Sequence, residues 1–476
     1  MVQKTFAKNY IFNLLYQVLS LALPLVTTPY LSRVLGADGI GKYSFAQSIV
    51  SYFALAAALG STLYGQRAIA RVSQDPEARS RAFFEIFLLR AIGVAVAMAI
   101  YGGIVLPRVG DPLLYAVAAI EIVSVALDVT WLYQGMENFR PIALCTAVGR
   151  LLAVMAIFLF VRDRGDLIVY VVCYGASLLL GYLLLWSGVR KYLSRVSVRR
   201  LRVMRHALPS LALFASQLAI QIYTVLDKTM IGLITRSDFE NGYYEQSQKL
   251  IRVLLALVTS LGVVMASRVA VLWHGKKREQ IYDLIYSSFR FVLAVGLPMA
   301  VGCGLILSRF VPIFYGAGFE PVMPILRVLV WLFPIVGCSN VMGIQLLVPT
   351  GRERFLTFSV AAGALTNVIL NAVLIASRAA VGAAIASVIA ECAVTAVQFF
   401  LVRRELHAGK VLKMFARYAA LSAVMGAVGL VVSYVAPAGV LGIALIVLPC
   451  VTVYAALLVV LRDPLLRFLG FSRETF

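Results

Sequence analysis

At 476 residues, 61% of them hydrophobic and 14% charged, with a mean hydropathy of +0.91, the chain is too apolar for a water-soluble fold and implies lipid as its solvent. Its net charge of +21 does not indicate nucleic acid, because the basic residues fall mainly in short loops between apolar runs, where they orient helices. Six cysteines scattered singly and three separated histidines give no spacing for a disulfide framework or a metal site, and nothing calls for a cofactor.

Lys4 and Lys8 precede an apolar run at about 9–34, which is too long for a signal-peptide core and lacks a small-residue cleavage site, so it reads as a retained first span. Further runs follow at about 42–65, 84–106, 112–135, 141–161, 167–189, 207–235, 239–272, 281–308, 321–348, 355–377, 380–402, 411–435 and 438–461. Each is close to the ~20 residues that a bilayer core requires. Fourteen helices put both termini on one side of the membrane. The loops on that side hold most of the Lys and Arg, seven of them within 190–205, which predicts cytoplasmic termini in a bacterial inner membrane.

That densest loop also falls near mid-chain. The expected architecture is therefore an all-α membrane protein of about fourteen transmembrane helices, built as two pseudo-symmetric six-helix lobes, 1–200 and 201–405. Two extra helices and a short cytoplasmic tail follow at 406–476. An internal repeat supports the halves. Gly41, Tyr43 and Gln47 recur as Gly242, Tyr244 and Gln248, followed by Leu59-Gly60 and Leu261-Gly262; Gly135, Glu137 and Phe139 recur as Gly351, Glu353 and Phe355. The two halves then form a parallel repeat.

Eight basic residues fall inside or at the margins of spans: Arg90, Arg150, Lys228, Lys249, Arg252, Arg268, Arg290 and Arg327. Four acids join them: Glu121, Asp128, Asp227 and Glu391. A charge at a helix centre costs about 2.5–3.5 kcal/mol on insertion scales, so twelve facing lipid would cost on the order of 30 kcal/mol, and most must face protein or water. For the marginal Arg90, Arg268 and Arg290, a structural ion pair or snorkelling to the interface fits as well as a functional role.

Helical spacing groups the rest. Gln217, Gln221, Thr224 and Lys228 share one face of the seventh span, and Glu245, Gln248 and Arg252 one face of the eighth. Asn13, Gln17, Ser20 and Pro24 stripe the first span, and Ser44, Gln47 and Ser51 the second. Such stripes fit an aqueous cavity, or polar glue between helices. The excess of basic over acidic groups suits an anionic cargo such as a diphosphate, and Arg150, Lys228, Lys249, Arg252, Gln47, Gln221 and Gln248 are the expected substrate-binding residues. Asp227, Asp128 and Glu391 are expected to pair with cations or to carry a coupling ion, a proton or sodium.

Residues 36–42 match G-x-x-x-x-G-K, yet Tyr43 stands where Ser or Thr would hold magnesium and an apolar helix precedes it, so these glycines read as a turn rather than an ATP site.

Three segments carry a family resemblance: Pro29-Tyr30-Leu31-Ser32-Arg33-Val34-Leu35-Gly36 running into Gly41-Lys42-Tyr43, then Asp227-Lys228-Thr229-Met230-Ile231-Gly232, then Asn367 and Asn371 with Gly382-Ala383-Ala384. With these the chain resembles the oligosaccharide (O-antigen type) flippases of the multidrug/oligosaccharidyl-lipid/polysaccharide exporter superfamily. The resemblance implies two lobes around a central cationic cavity and alternating access. Its implied cargo is undecaprenyl-diphosphate-linked oligosaccharide, moved from the cytoplasmic to the periplasmic leaflet, with membrane lipid and the polysaccharide polymerase machinery as partners. No enzymatic activity is implied. A multidrug or cation antiporter of the same superfamily is the alternative and would use acids such as Asp128, Asp227 and Glu391. A membrane glycosyltransferase, polymerase or ligase fits less well, because the loops hold no catalytic acid cluster.

Overall fold

A computed structural model describes the backbone of residues 2–197 and 201–468; the side chains of 1–22, 215, 216, 219, 220, 222, 223 and 467–476 lie outside the description. Among the described residues the chain is helical, with no strand. Eleven candidate membrane spans occur there, and two of them, 23–71 and 353–402, each hold two spans joined across a break. The helix at 207–235 adds one more, which gives the fourteen spans expected.

The first compact unit comprises residues 1–232 and 237–242. It begins with α1 (Val2–Ala58), broken at Gly36, whose φ of 70° is left-handed and favours glycine; this is the turn expected at 36–42. α2 (Ser61–Arg71), α3 (Pro76–Ile100) and the fragments α4 (Pro112–Ala118), α5 (Ile120–Leu127) and α6 (Thr130–Gly135) follow, then α7 (Phe139–Phe160), α8 (Leu167–Val189) and α9 (Ala207–Thr235). Its core at one end packs Trp131 against Phe83, ring centroids 5.3 Å apart, with Ile86, Leu132 and Leu185 around them. Gly65 is required there: a Cβ on it would lie 2.7 Å from the Trp131 ring.

The second unit comprises 233–236 and 243–476. Its helices are α10 (Asp238–Thr259, whose first turn belongs to the first unit), α11 (Gly262–His274), α12 (Arg278–Tyr315), α13 (Val322–Leu329), α14 (Leu332–Asn340), α15 (Glu353–Val402), α16 (Ala408–Val435), α17 (Val440–Val460) and α18 (Pro464–Phe468). α15 breaks at Ala379 (φ 47°). It doubles back so closely that a Cβ on Gly382 would sit 2.0 Å from the Leu374 carbonyl oxygen. α16 and α17 pack on α12 through Leu293, Leu297, Leu421 and Leu458, and the Tyr454 hydroxyl donates to the Ala294 carbonyl at 2.8 Å.

The helix breaks follow the internal repeat. The Leu59-Gly60 pair separates α1 from α2, and Leu261-Gly262 falls where α10 gives way to α11. The fourth span is split into α4, α5 and α6; the tenth is split into α13, α14 and a π-helical turn, Val341–Leu347. The two compact units divide within residues 232–243, and α9 lies almost wholly with the first. Buried Glu85 of α3 accepts from the Arg202 backbone N–H (2.7 Å) and pairs with Arg205 and with His206 Nε2 (2.7 Å), while the Tyr64 hydroxyl meets His206 Nδ1 at 2.8 Å. Next, Ser210 Oγ donates to the Leu59 carbonyl at 2.8 Å, and Gly60 lets the backbone of Ser210 and Phe214 pass at van der Waals distance.

Of the cysteines, Cys450 is buried and Cys392 is exposed.

Candidate functional site

One break in helical hydrogen bonding determines where two intramembrane charges go. Between α5 and α6 the chain leaves helical geometry at Asp128, which frees carbonyls that lipid cannot satisfy. Arg90, 1% exposed, fills this gap. Its Nε and Nη2 donate to the Val125 carbonyl (3.2 and 2.9 Å), Nη1 to Thr62 Oγ1 (3.1 Å), and Nη2 meets Asp128 Oδ2 at 3.1 Å. Asp128 Oδ1 accepts from the Thr130 N–H (2.9 Å) and hydroxyl (2.6 Å). Asp128 is thus ion-paired with Arg90, which clamps the break between α5 and α6.

In the first unit the polar stripes of α1 and α9 meet on α5. Gln47 hydrogen-bonds Glu121, and the Lys228 ammonium lies within electrostatic reach of the same carboxylate. Gln47, Glu121, Tyr43 and Tyr174 line a cavity of about 10 Å³, room for about one water. Thr229 Oγ1 hydrogen-bonds with Ser48 Oγ (3.0 Å) and Tyr52 OH (3.3 Å), fixing α9 on α1, and Asn241 Nδ2 holds the Lys228 carbonyl at 3.0 Å. Asp227 is buried beside Lys228, and Gln221 is half-buried two turns earlier. Asn13, Gln17 and Ser20 lie outside the described side chains.

Arg150 lines a second cavity of about 250 Å³ with Thr130, Gln134, Thr146, Ser177 and Tyr182. Leu178 of α8 borders both hollows, so one helix face joins the Gln47–Glu121 group to Arg150. Glu121 was legible as an intramembrane acid but not as a site residue, because its partners Gln47 and Lys228 are distant in sequence.

In the second unit α10 carries Lys249 and Gln248, both half-buried, and Arg252, which is exposed. Lys249 pairs within the helix with Glu245, Nζ to Oε1 at 3.2 Å, so its charge is already matched. Gln248 Nε2 donates to the Tyr244 hydroxyl (2.7 Å), which meets Ser387 Oγ at 3.1 Å on α15. Glu391, half-buried, stands one turn further along α15. This stripe is knit to its own and neighbouring helices.

Broken helices lined by half-buried polar and charged side chains define a multi-pass membrane transporter, and the chain is not an enzyme. A model of the family described as "Polysaccharide biosynthesis protein" matches residues 6–270, over half the sequence, and the chain belongs to that family. It is similar to a protein of Escherichia coli (strain K12) provisionally named an O-antigen transporter, 23% identical over 411 residues, which cover 83% of this chain and 96% of the relative. Among solved structures, the lipid II flippase MurJ in an inward closed conformation superposes with a TM-score of 0.77 over 95% of this chain and 99% of that one, at 16% identity. An inward-facing multidrug resistance MATE family transporter of the MOP superfamily gives 0.62 over 84% and 95%, at 13% identity. At those identities the structural likeness speaks for the fold alone.

Proposed function

We propose that the chain is a flippase that carries undecaprenyl-diphosphate-linked oligosaccharide from the cytoplasmic to the periplasmic leaflet of a bacterial inner membrane by alternating access. Its termini are cytoplasmic, and polysaccharide polymerase machinery receives the product. Family membership and the O-antigen transporter relative support the cargo class. The observation that carries the residue assignment is the grouping of Lys228, Gln47 and Glu121 next to the cavity of Arg150.

In this reading Arg150 and Lys228 hold the diphosphate, with Arg252, Lys249 and the glutamines Gln47, Gln221 and Gln248 meeting phosphate and sugar, while the prenyl tail stays in lipid. Asp227 and Glu391 carry the coupling ion, a proton or sodium. An inside-negative potential favours outward movement of an anion by about 2.3 kcal/mol per charge per 100 mV, so nucleotide is not needed.

Complementation of a flippase-null strain tests this. Combining Arg252→Ala with Lys228→Ala is expected to abolish surface polysaccharide and build up lipid-linked oligosaccharide on the inner leaflet. Undiminished polysaccharide from the doubly substituted protein would remove these residues from the pathway. Drug sensitivity of a deletion strain with normal polysaccharide would select the antiporter reading instead.

A further inference from the structure

A hollow of about 530 Å³ opens where the starts of α12 and α16 and the chain just past α17 come together, three ends that a fourteen-span topology puts on one membrane face. Arg290, Lys410, Lys413 and Arg417 line it, against the carboxylates Asp283 and Asp463.

Asp463 does not neutralise the group. It is 2% exposed, Arg417 Nη2 meets its Oδ2 at 2.8 Å, and its Oδ1 accepts from the Tyr418 hydroxyl (2.8 Å) and the Leu465 N–H (2.9 Å). Among the described residues no carboxylate pairs with Arg290, Lys410 or Lys413, and Asp283 is exposed at the rim. Lys410 is instead held over the Tyr286 ring, 5.0 Å from its centroid.

Depth separates this group from ordinary loop cations. Arg290 is about 18 Å along α12 from its start at Arg278, and half-buried, whereas the positive-inside bias needs charge only at helix ends. Met414 and Tyr418 of α16 and Pro464 also belong to the lining, which puts apolar surface beside the cations. A cavity of this size accommodates a headgroup.

We propose that this cavity is a binding site for the phosphate of an anionic phospholipid, with the headgroup between Arg290 and Lys413. The bound lipid ties α16 to α12. The site is separate from the transport pathway and does not depend on the cargo assignment.

Native mass spectrometry and thermal unfolding of the full chain in detergent test it, with cardiolipin, phosphatidylcholine and inorganic pyrophosphate as probes. Cardiolipin is expected to remain bound and raise the unfolding midpoint, with affinity falling about tenfold or more in Arg290→Gln combined with Lys413→Gln. Arg268→Gln, on an exposed cation outside the cavity, serves as the control and is expected to bind as wild type. Equal retention of phosphatidylcholine, or an equal loss in Arg268→Gln, would overturn the site. Pyrophosphate binding that needs Arg290 and Lys413 while cardiolipin fails to bind would uphold phosphate recognition and overturn the lipid as its source. Should the double variant not fold, Lys413→Glu alone, on an exposed position, is expected to weaken cardiolipin retention; unchanged retention there would overturn the proposal.

Discussion

Arg90 and Asp128 show a charge inside a membrane helix repairing a broken backbone. Asp128→Asn leaves a nearly fully buried guanidinium without its counter-ion, and breaking such a pair costs about 3 kcal/mol or more. The expected outcome is a markedly lower unfolding midpoint of the purified protein. Lys228 and Glu121 give a sharper test because they sit beside Gln47 in the proposed pathway. Lys228→Ala leaves the half-buried Glu121 carboxylate, still bonded to Gln47, without its neighbouring cation. Adding Glu121→Gln is expected to restore stability by about 1 kcal/mol relative to Lys228→Ala, without restoring transport. Additive stability losses in that double-mutant cycle would show that the two groups do not interact.

At the scale of elements, the glycines that mark the repeat turn out to have a steric purpose. A Cβ on Gly41 would lie 1.7 Å from the Asp238 carbonyl oxygen, and one on Gly242 would lie 1.9 Å from that of Ala37, so α1 and the start of α10 cross backbone to backbone. Small residues at close helix crossings are the main packing device where no hydrophobic force acts between helices. Gly41→Ala is expected to destabilise by roughly 1–3 kcal/mol through overpacking, and Gly242→Ala by a similar amount, read as reduced membrane yield and a lower unfolding midpoint. Gly102→Ala, with nothing within 4 Å of its Cβ, is the matched control and should be neutral.

Over the whole molecule, α16 and α17 are fastened to α12 by polar as well as apolar contacts: Arg309 donates to the carbonyls of Ser433, Ala436 and Pro437, and Tyr454 to that of Ala294. A chain ending at residue 405 would leave Arg309 without those acceptors. Lipid can replace the lost apolar neighbours but not the carbonyls, so the truncated protein is expected to insert yet unfold at a lower temperature. Arg309→Leu in the full chain should reproduce part of that loss.

Span positions, the breaks at Gly36 and near residue 379, the repeat and the polar faces were all legible in the sequence, because hydropathy, helical period and turn-forming residues act over a few neighbouring positions. The matching of Lys249 by Glu245 was in principle legible too, as a helical i, i+4 pair. Only the tertiary structure decided that Arg90 serves Asp128, that Glu85 and His206 tie α9 to the first unit, and that Arg290 lines a basic hollow with residues of α16. Those outcomes depend on which helices, tens to more than a hundred residues apart, are brought side by side, and a side chain's partner across such an approach leaves no periodic trace along its own helix.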